Sequence, residues 1–242
     1  MDPLQLLKSL EAAVFEVALW VLLLPKTLLR ILRRPVWVLD YTTAEFAKPE
    51  AGRFDDYLSP VSFWLLVAVG PYLWATSTIR HHYDLPAPSG DAMSHLSIIN
   101  RYMICALLLV AAPLTVAVIF SLIRGHGVTR RVLLPHFAAQ CYLQSPALLA
   151  VMPIAVGLLF VPRVDLVEHL RGSAVVVGIG SLAVLWLVMA ETRYLMRDLK
   201  TSATRALGIA AGSLALSAAI VGGLMVGTLH ALLHAHLLLP HP

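Results

Sequence analysis

His230 and His234 stand one helical turn apart and His81-His82 form an adjacent pair, so these four imidazoles are the side chains best suited by type and spacing to share a transition metal. Such a centre needs the two pairs to converge from separate connections, and neither a cysteine nor a carboxylate completes a recognised ligand set beside them. The competing reading is a set of interfacial polar residues, or a surface that responds to pH. Gln140 and Gln144 share a helix face in the turn before Pro146, where they could line a small polar cavity or bond to a neighbouring helix. Cys105 and Cys141 fall near opposite ends of consecutive apolar runs, too far apart for the roughly 4–7 Å Cα separation of a disulfide. They read as small apolar packing residues.

Catalytic constellations are missing from the sequence. There is no Gly-x-Ser-x-Gly, no His-Glu-x-x-His, no phosphate-cradling Gly-rich Lys-Ser/Thr loop and no cysteine pair with zinc spacing. Arg101, Glu191 and Arg193 at helix ends, and Tyr57 beside Ser59, read as topology anchors and headgroup contacts. No acid or base falls inside an apolar run, where ion-coupled transport commonly needs one. The expectation is a non-enzymatic chain without a cofactor.

The elements that must position these residues follow from composition. The chain has 242 residues, is 59% hydrophobic and 13% charged, and has a mean hydropathy of +0.79. Charges are too few to cover a water-soluble globule of this size, so lipid is the expected solvent. Five runs, Val61–Ile79, Tyr102–Ile123, Phe137–Val161, Ser173–Ala190 and Ala206–Leu229, contain no Asp, Glu, Lys or Arg. Each is close to the roughly twenty helical residues that cross a bilayer. They lack sustained in-out alternation and are too few for a barrel. The predicted fold is all-α: a polytopic membrane bundle of five transmembrane helices over residues 61–242, after an N-terminal segment over residues 1–60.

Basic residues resist translocation and orient the bundle. Lys8, Lys26, Arg30, Arg33, Arg34, Lys48 and Arg53 precede the first run; Arg124, Arg130 and Arg131 follow the second; Arg193, Arg197, Lys200 and Arg205 follow the fourth. These are 14 of the 18 basic residues, and they predict a cytoplasmic N-terminus and a C-terminus outside. Within residues 1–60, Ala12–Leu24 reads as an interfacial amphipathic helix leading into Lys26, Arg30, Arg33 and Arg34, with a sixth span as the alternative. The stretch Asp40–Tyr57, with five acids, reads as a solvated linker ending at Ser59-Pro60. No removable signal peptide is apparent at the N-terminus.

Pro71, Pro113, Pro146 and Pro153 lie inside three of the runs, where each removes a helical hydrogen bond and tends to kink the axis. In the last run Ala211, Ala215, Ala219, Gly223 and Gly227 recur every four residues, beside Gly208 and Gly212. One face is therefore nearly bare backbone and suits close helix packing, either within the chain or across a dimer.

Several short motifs carry a resemblance. Tyr57-Leu58-Ser59-Pro60 opens the first run and Cys141-Tyr142-Leu143-Gln144-Ser145-Pro146 lies in the third. Leu185-Trp186, Thr192-Arg193-Tyr194 and Thr201-Ser202-Ala203-Thr204-Arg205-Ala206 lead into the fifth. Over roughly residues 57–229 the layout resembles the Yip (Ypt-interacting protein) domain superfamily, in its bacterial, permease-like form. The resemblance implies a non-enzymatic membrane protein that works by holding partners. An Ala/Leu/Arg-rich chain of this kind suits the bacterial cytoplasmic (inner) membrane. The expected partners are membrane lipids and a protein partner or a second copy of the chain, with no nucleic acid. Two functions are consistent with the sequence: a scaffold or accessory subunit of a membrane assembly, or a small permease or channel with a path among proline-kinked helices.

Overall fold

The computed structural model describes residues 3–68, 70, 98–125, 127–160 and 174–238, and all regular structure among them is helical. Helix α1 spans Pro3–Arg33 and α2 spans Trp37–Ala47; a 3-10 turn follows at Glu50–Gly52. Helical residues 60–68 form α3, followed by α4 (Ile98–Ile123), α5 (Arg130–Phe160), α6 (Ala174–Leu199) and α7 (Ala203–Leu238). Among the described residues two helical stretches are long and apolar enough to cross a membrane, Gly178–Leu199 and Ala203–Leu224, with a shorter apolar stretch at Leu109–Ile123. Of the five runs expected from the sequence, the first continues past residue 70 and the third reaches Val161, outside the described residues.

Helices α4 to α7 close into a ring in which α4 packs on α5, α5 on α6, α6 on α7 and α7 back on α4. Val116, Phe120, Tyr142, Leu143, Tyr194, Leu195, Ala206 and Ala210 meet inside it and are buried. Phe120 and Tyr194 stack with ring centroids 5.9 Å apart. The helices continue through Pro113, Pro146 and Pro153, while Pro71 lies outside the described residues. Near Pro113, the Thr115 hydroxyl donates to the Ala111 carbonyl at 2.7 Å, the kind of side-chain bond that membrane helices use around a proline. Gly125 terminates α4: its φ of +70° is the left-handed conformation that favours glycine just beyond a helix end, and its N–H donates to the Leu122 carbonyl at 3.0 Å.

The N-terminal region is more ordered than the sequence suggests. The helix expected over 12–24 is the middle of a 31-residue helix that runs through Pro25. Residues 40–57 are not a solvated linker. Helix α2 occupies the first part and buries Val38, Tyr41, Thr42 and Glu45, and it packs against α5. Pattern reading misses this because the five acids look solvated, yet three of them are held by the protein. Asp40 pairs with Arg197 at 2.8 Å, and Glu50 lies 3.8 Å from Arg53. Glu45 accepts from the Phe54 N–H at 2.7 Å and from Lys48 Nζ at 2.6 Å. The hydrogen bond to Glu45 raises the Lys48 ammonium above its ordinary range.

That carboxylate also fixes a costly backbone. Phe54 has a φ of +62°, unusual for a bulky residue, and its ring packs edge-on to Tyr41 and Phe46 at 6.0 and 5.6 Å. Tyr41 stacks on Trp37 at 4.6 Å and reaches Tyr142 of α5 at 6.2 Å. Two bonds seat the following strap. The Leu58 N–H donates to Thr27 Oγ1 at 3.3 Å, and the Leu58 carbonyl accepts from the Tyr142 hydroxyl. Ser59 then caps α3, accepting from the Ser62 N–H at 3.2 Å, with Pro60 at the first helical position, where its missing N–H costs nothing.

Candidate functional site

A polar ladder crosses the apolar interior between α5 and α6. On α5, His136, Gln140 and Gln144 recur every four residues and so lie on one face over about 12 Å of helix. On α6, Glu191, Tyr194 and Asp198 recur at three and four and face them. All are buried except the backbone side of Asp198, whose carboxylate side chain is only 3% exposed. The turn that Gly125 makes after α4 brings Arg124 to the end of this ladder.

The rungs are specific. Arg124 Nη2 donates to both the carboxylate and the carbonyl of Asp198, the latter at 3.3 Å. Its Nη1 lies 3.2 Å from His136 Nε2. A guanidinium can only donate, so Nε2 accepts and the neutral ring carries its proton on Nδ1, 2.8 Å from the Tyr194 hydroxyl. Further in, Gln140 Nε2 donates to Glu191 Oε2 at 3.1 Å and Gln144 Nε2 donates to Gln140 Oε1 at 2.9 Å. Glu191 Oε1 and Asp198 Oδ2 are buried and have no hydrogen-bond partner among the described residues.

Of the two glutamines, Gln140 bonds to the neighbouring helix, while Gln144 bonds to Gln140 on its own helix. Glu191 corrects the sequence reading: it is fully buried against α5, and is neither a headgroup contact nor an exposed helix end. It was hidden because it follows the uncharged run by one residue. The available signal was the 191, 194, 198 spacing, which puts three polar side chains on one helix face opposite 136, 140 and 144. Arg124, grouped from the sequence with Arg130 and Arg131 in a cytoplasmic basic loop, instead pairs with His136 and Asp198.

The other singled-out residues fall elsewhere. Ala211, Ala215, Ala219, Gly223 and Gly227 are exposed on α7; its buried small residues are Ala206, Ala210, Ser213 and Ser217 instead, and Ser217 Oγ donates to the Ala112 carbonyl of α4 at 3.1 Å. Cys141 is buried and free. His230 and His234 lie on α7 with side chains outside the described residues, as is Cys105 on α4, and His81 and His82 lie wholly outside them. Among the described residues no group of three or more His, Cys, Asp or Glu side chains is arranged to hold a metal. The ladder binds three helices to one another at its Arg124 end.

Comparison with protein-family models, with curated proteins and with solved structures gave no match.

Proposed function

We propose that this chain is a non-enzymatic integral membrane protein that acts as a scaffold or accessory subunit of a membrane assembly. The carrying observation is the outer face of α7. Its inner face is occupied by α4 and α6, while Ala211, Ala215, Ala219, Gly223 and Gly227 are exposed. A Cβ added at Gly208, Gly212, Gly223 or Gly227 would meet nothing within 4 Å among the described residues. The stripe is therefore uncovered by the described helices, and it suits a helix of a partner or of a second copy.

In this reading five helices cross the bacterial cytoplasmic membrane, with the N-terminus inside and the C-terminus outside. Two features favour it: the two membrane-length apolar stretches, and the gathering of basic connections at one end, where Arg124 meets Asp198 and Arg197 meets Asp40. The sequence motifs around Ser59-Pro60 and Ser145-Pro146 favour a Yip-like bundle. The permease alternative is weakened because Gln140 and Gln144 bond to Glu191 and to each other instead of lining a path.

The test is Gly223→Leu/Gly227→Leu in the full chain. Chemical crosslinking in native membranes should lose the wild-type adduct while the thermal midpoint of the purified variant stays within about 2 °C of wild type, since the added side chains meet open space. Retention of the same adduct at the same yield would rule the scaffold face out.

A further inference from the structure

Four cations line one side of a groove of about 370 Å³ at the end of α1. Lys26, Leu29, Arg30 and Arg33 come from the helix, Arg34 follows it directly, and Tyr57 comes from the strap that follows α2. No carboxylate among the described residues lines it. Two of the cations are held in place: Lys26 Nζ donates to the Asp56 carbonyl at 2.7 Å and sits over the Tyr57 ring at 4.6 Å, and the Arg30 guanidinium lies over Trp37 at 5.2 Å. Arg30 Nε is buried without a hydrogen-bond partner, and neither Arg33 nor Arg34 has an acidic partner among the described residues. A held guanidinium without a counter-charge, with two exposed ones beside it, is the kind of donor set that phosphate recognition uses.

The same stripe changes character one turn earlier. Phe15, Leu19 and Leu22 precede Lys26, Arg30 and Arg33 at spacings of three and four, and they are 64, 49 and 69% exposed. Apolar turns followed by cationic turns on one helix face match the order of acyl chain and headgroup in a glycerophospholipid. A soluble phosphate or an acidic polypeptide would use the cations and leave Phe15, Leu19 and Leu22 uncovered.

We propose that this groove is a binding site for an anionic glycerophospholipid, with its phosphate between Arg30, Arg33, Arg34 and Lys26 and its acyl chains along Phe15, Leu19 and Leu22. This rests on the membrane reading above, but not on the partner face of α7.

The full chain, purified in dodecyl maltoside, is titrated with phosphatidylglycerol and with phosphatidylcholine. Binding is read by native mass spectrometry, alongside extraction of native membranes at alkaline pH. The expected result is a chain that resists extraction and binds phosphatidylglycerol about ten-fold more tightly than phosphatidylcholine. Arg33→Glu/Arg34→Glu should abolish the preference, and the milder Arg33→Gln/Arg34→Gln serves if the reversal fails to fold. Arg130→Glu/Arg131→Glu, the same charge change at two other exposed arginines, should keep it. Equal affinity for the two lipids, or the same loss in both charge-reversal variants, would overturn the lipid site and leave the membrane reading standing. Displacement of the lipid by equimolar glycerol phosphate or polyglutamate would do the same. Release of the chain by alkaline extraction would overturn both.

Discussion

The α5–α6 and α4–α7 interfaces close the same ring by opposite means. The first is a ladder of polar side chains from Gln144 to Arg124; the second has the Ser217 hydroxyl as its cross-helix bond, on the side of α7 that buries the small residues Ala206, Ala210 and Ser213. A polar seam is directional and fixes register, but removing one partner strands the other in a low-dielectric interior. A small-residue seam relies on close approach, so it tolerates loss of a hydrogen bond and resists added volume. The two seams should therefore fail under different substitutions.

Arg124→Ala should have the largest effect, about 3 kcal/mol, because it leaves the Asp198 carboxylate, 3% exposed, without a counter-charge. Thermal unfolding in detergent measures it, and a loss below about 1 kcal/mol would place that end of the ladder in water. Gln140→Leu should cost about 2 kcal/mol by orphaning Glu191. The double variant Gln140→Leu/Glu191→Leu should recover most of that loss, since replacing both polar partners with apolar ones removes the stranded group. Strict additivity in that cycle would show that the rung carries no coupling.

On the small-residue seam the order reverses. Ala210→Leu should cost about 1.5 kcal/mol by overpacking the buried side of α7, whereas Ser217→Ala should cost about 0.6 kcal/mol, the usual size of a hydrogen bond between membrane helices. A larger penalty for Ser217→Ala than for Ala210→Leu would erase the distinction between the seams. The smallest effect at neutral pH belongs to Tyr41→Phe, because the buried Tyr41 hydroxyl has no partner to lose. Burial, reinforced by Glu45, pushes this phenol above its ordinary value of 10.0. The folded state thus holds the Tyr41 proton more tightly than the unfolded state. Its contribution is complete below that ordinary value and declines as pH rises past it, so Tyr41→Phe should flatten the alkaline arm of a stability profile.

The helical class and the packing role of Cys141 were legible because each follows from local composition or period. The Gln140 and Gln144 face was legible too, although sequence left open what it faced. Glu191, Tyr194 and Asp198 were harder, because a charged residue at the border of an apolar run looks the same whether its side chain turns to a headgroup or to another helix. The stretch 40–57 was misread for a related reason: acids signal water unless a partner is known, and Arg197 lies 157 positions from Asp40. On α7 two rows of small residues compete, and periodicity cannot say which one the bundle buries: Ala206, Ala210, Ser213 and Ser217 are buried, and the row from Ala211 to Gly227 is exposed.

Leu58 has both of its main-chain polar groups tied to side chains, the N–H to Thr27 of α1 and the carbonyl to Tyr142 of α5. A residue clamped from two sides in this way behaves as a rivet. Through it the amino-terminal helix is joined, without an intervening loop, to the turn of α5 that lies between Gln140 and Gln144.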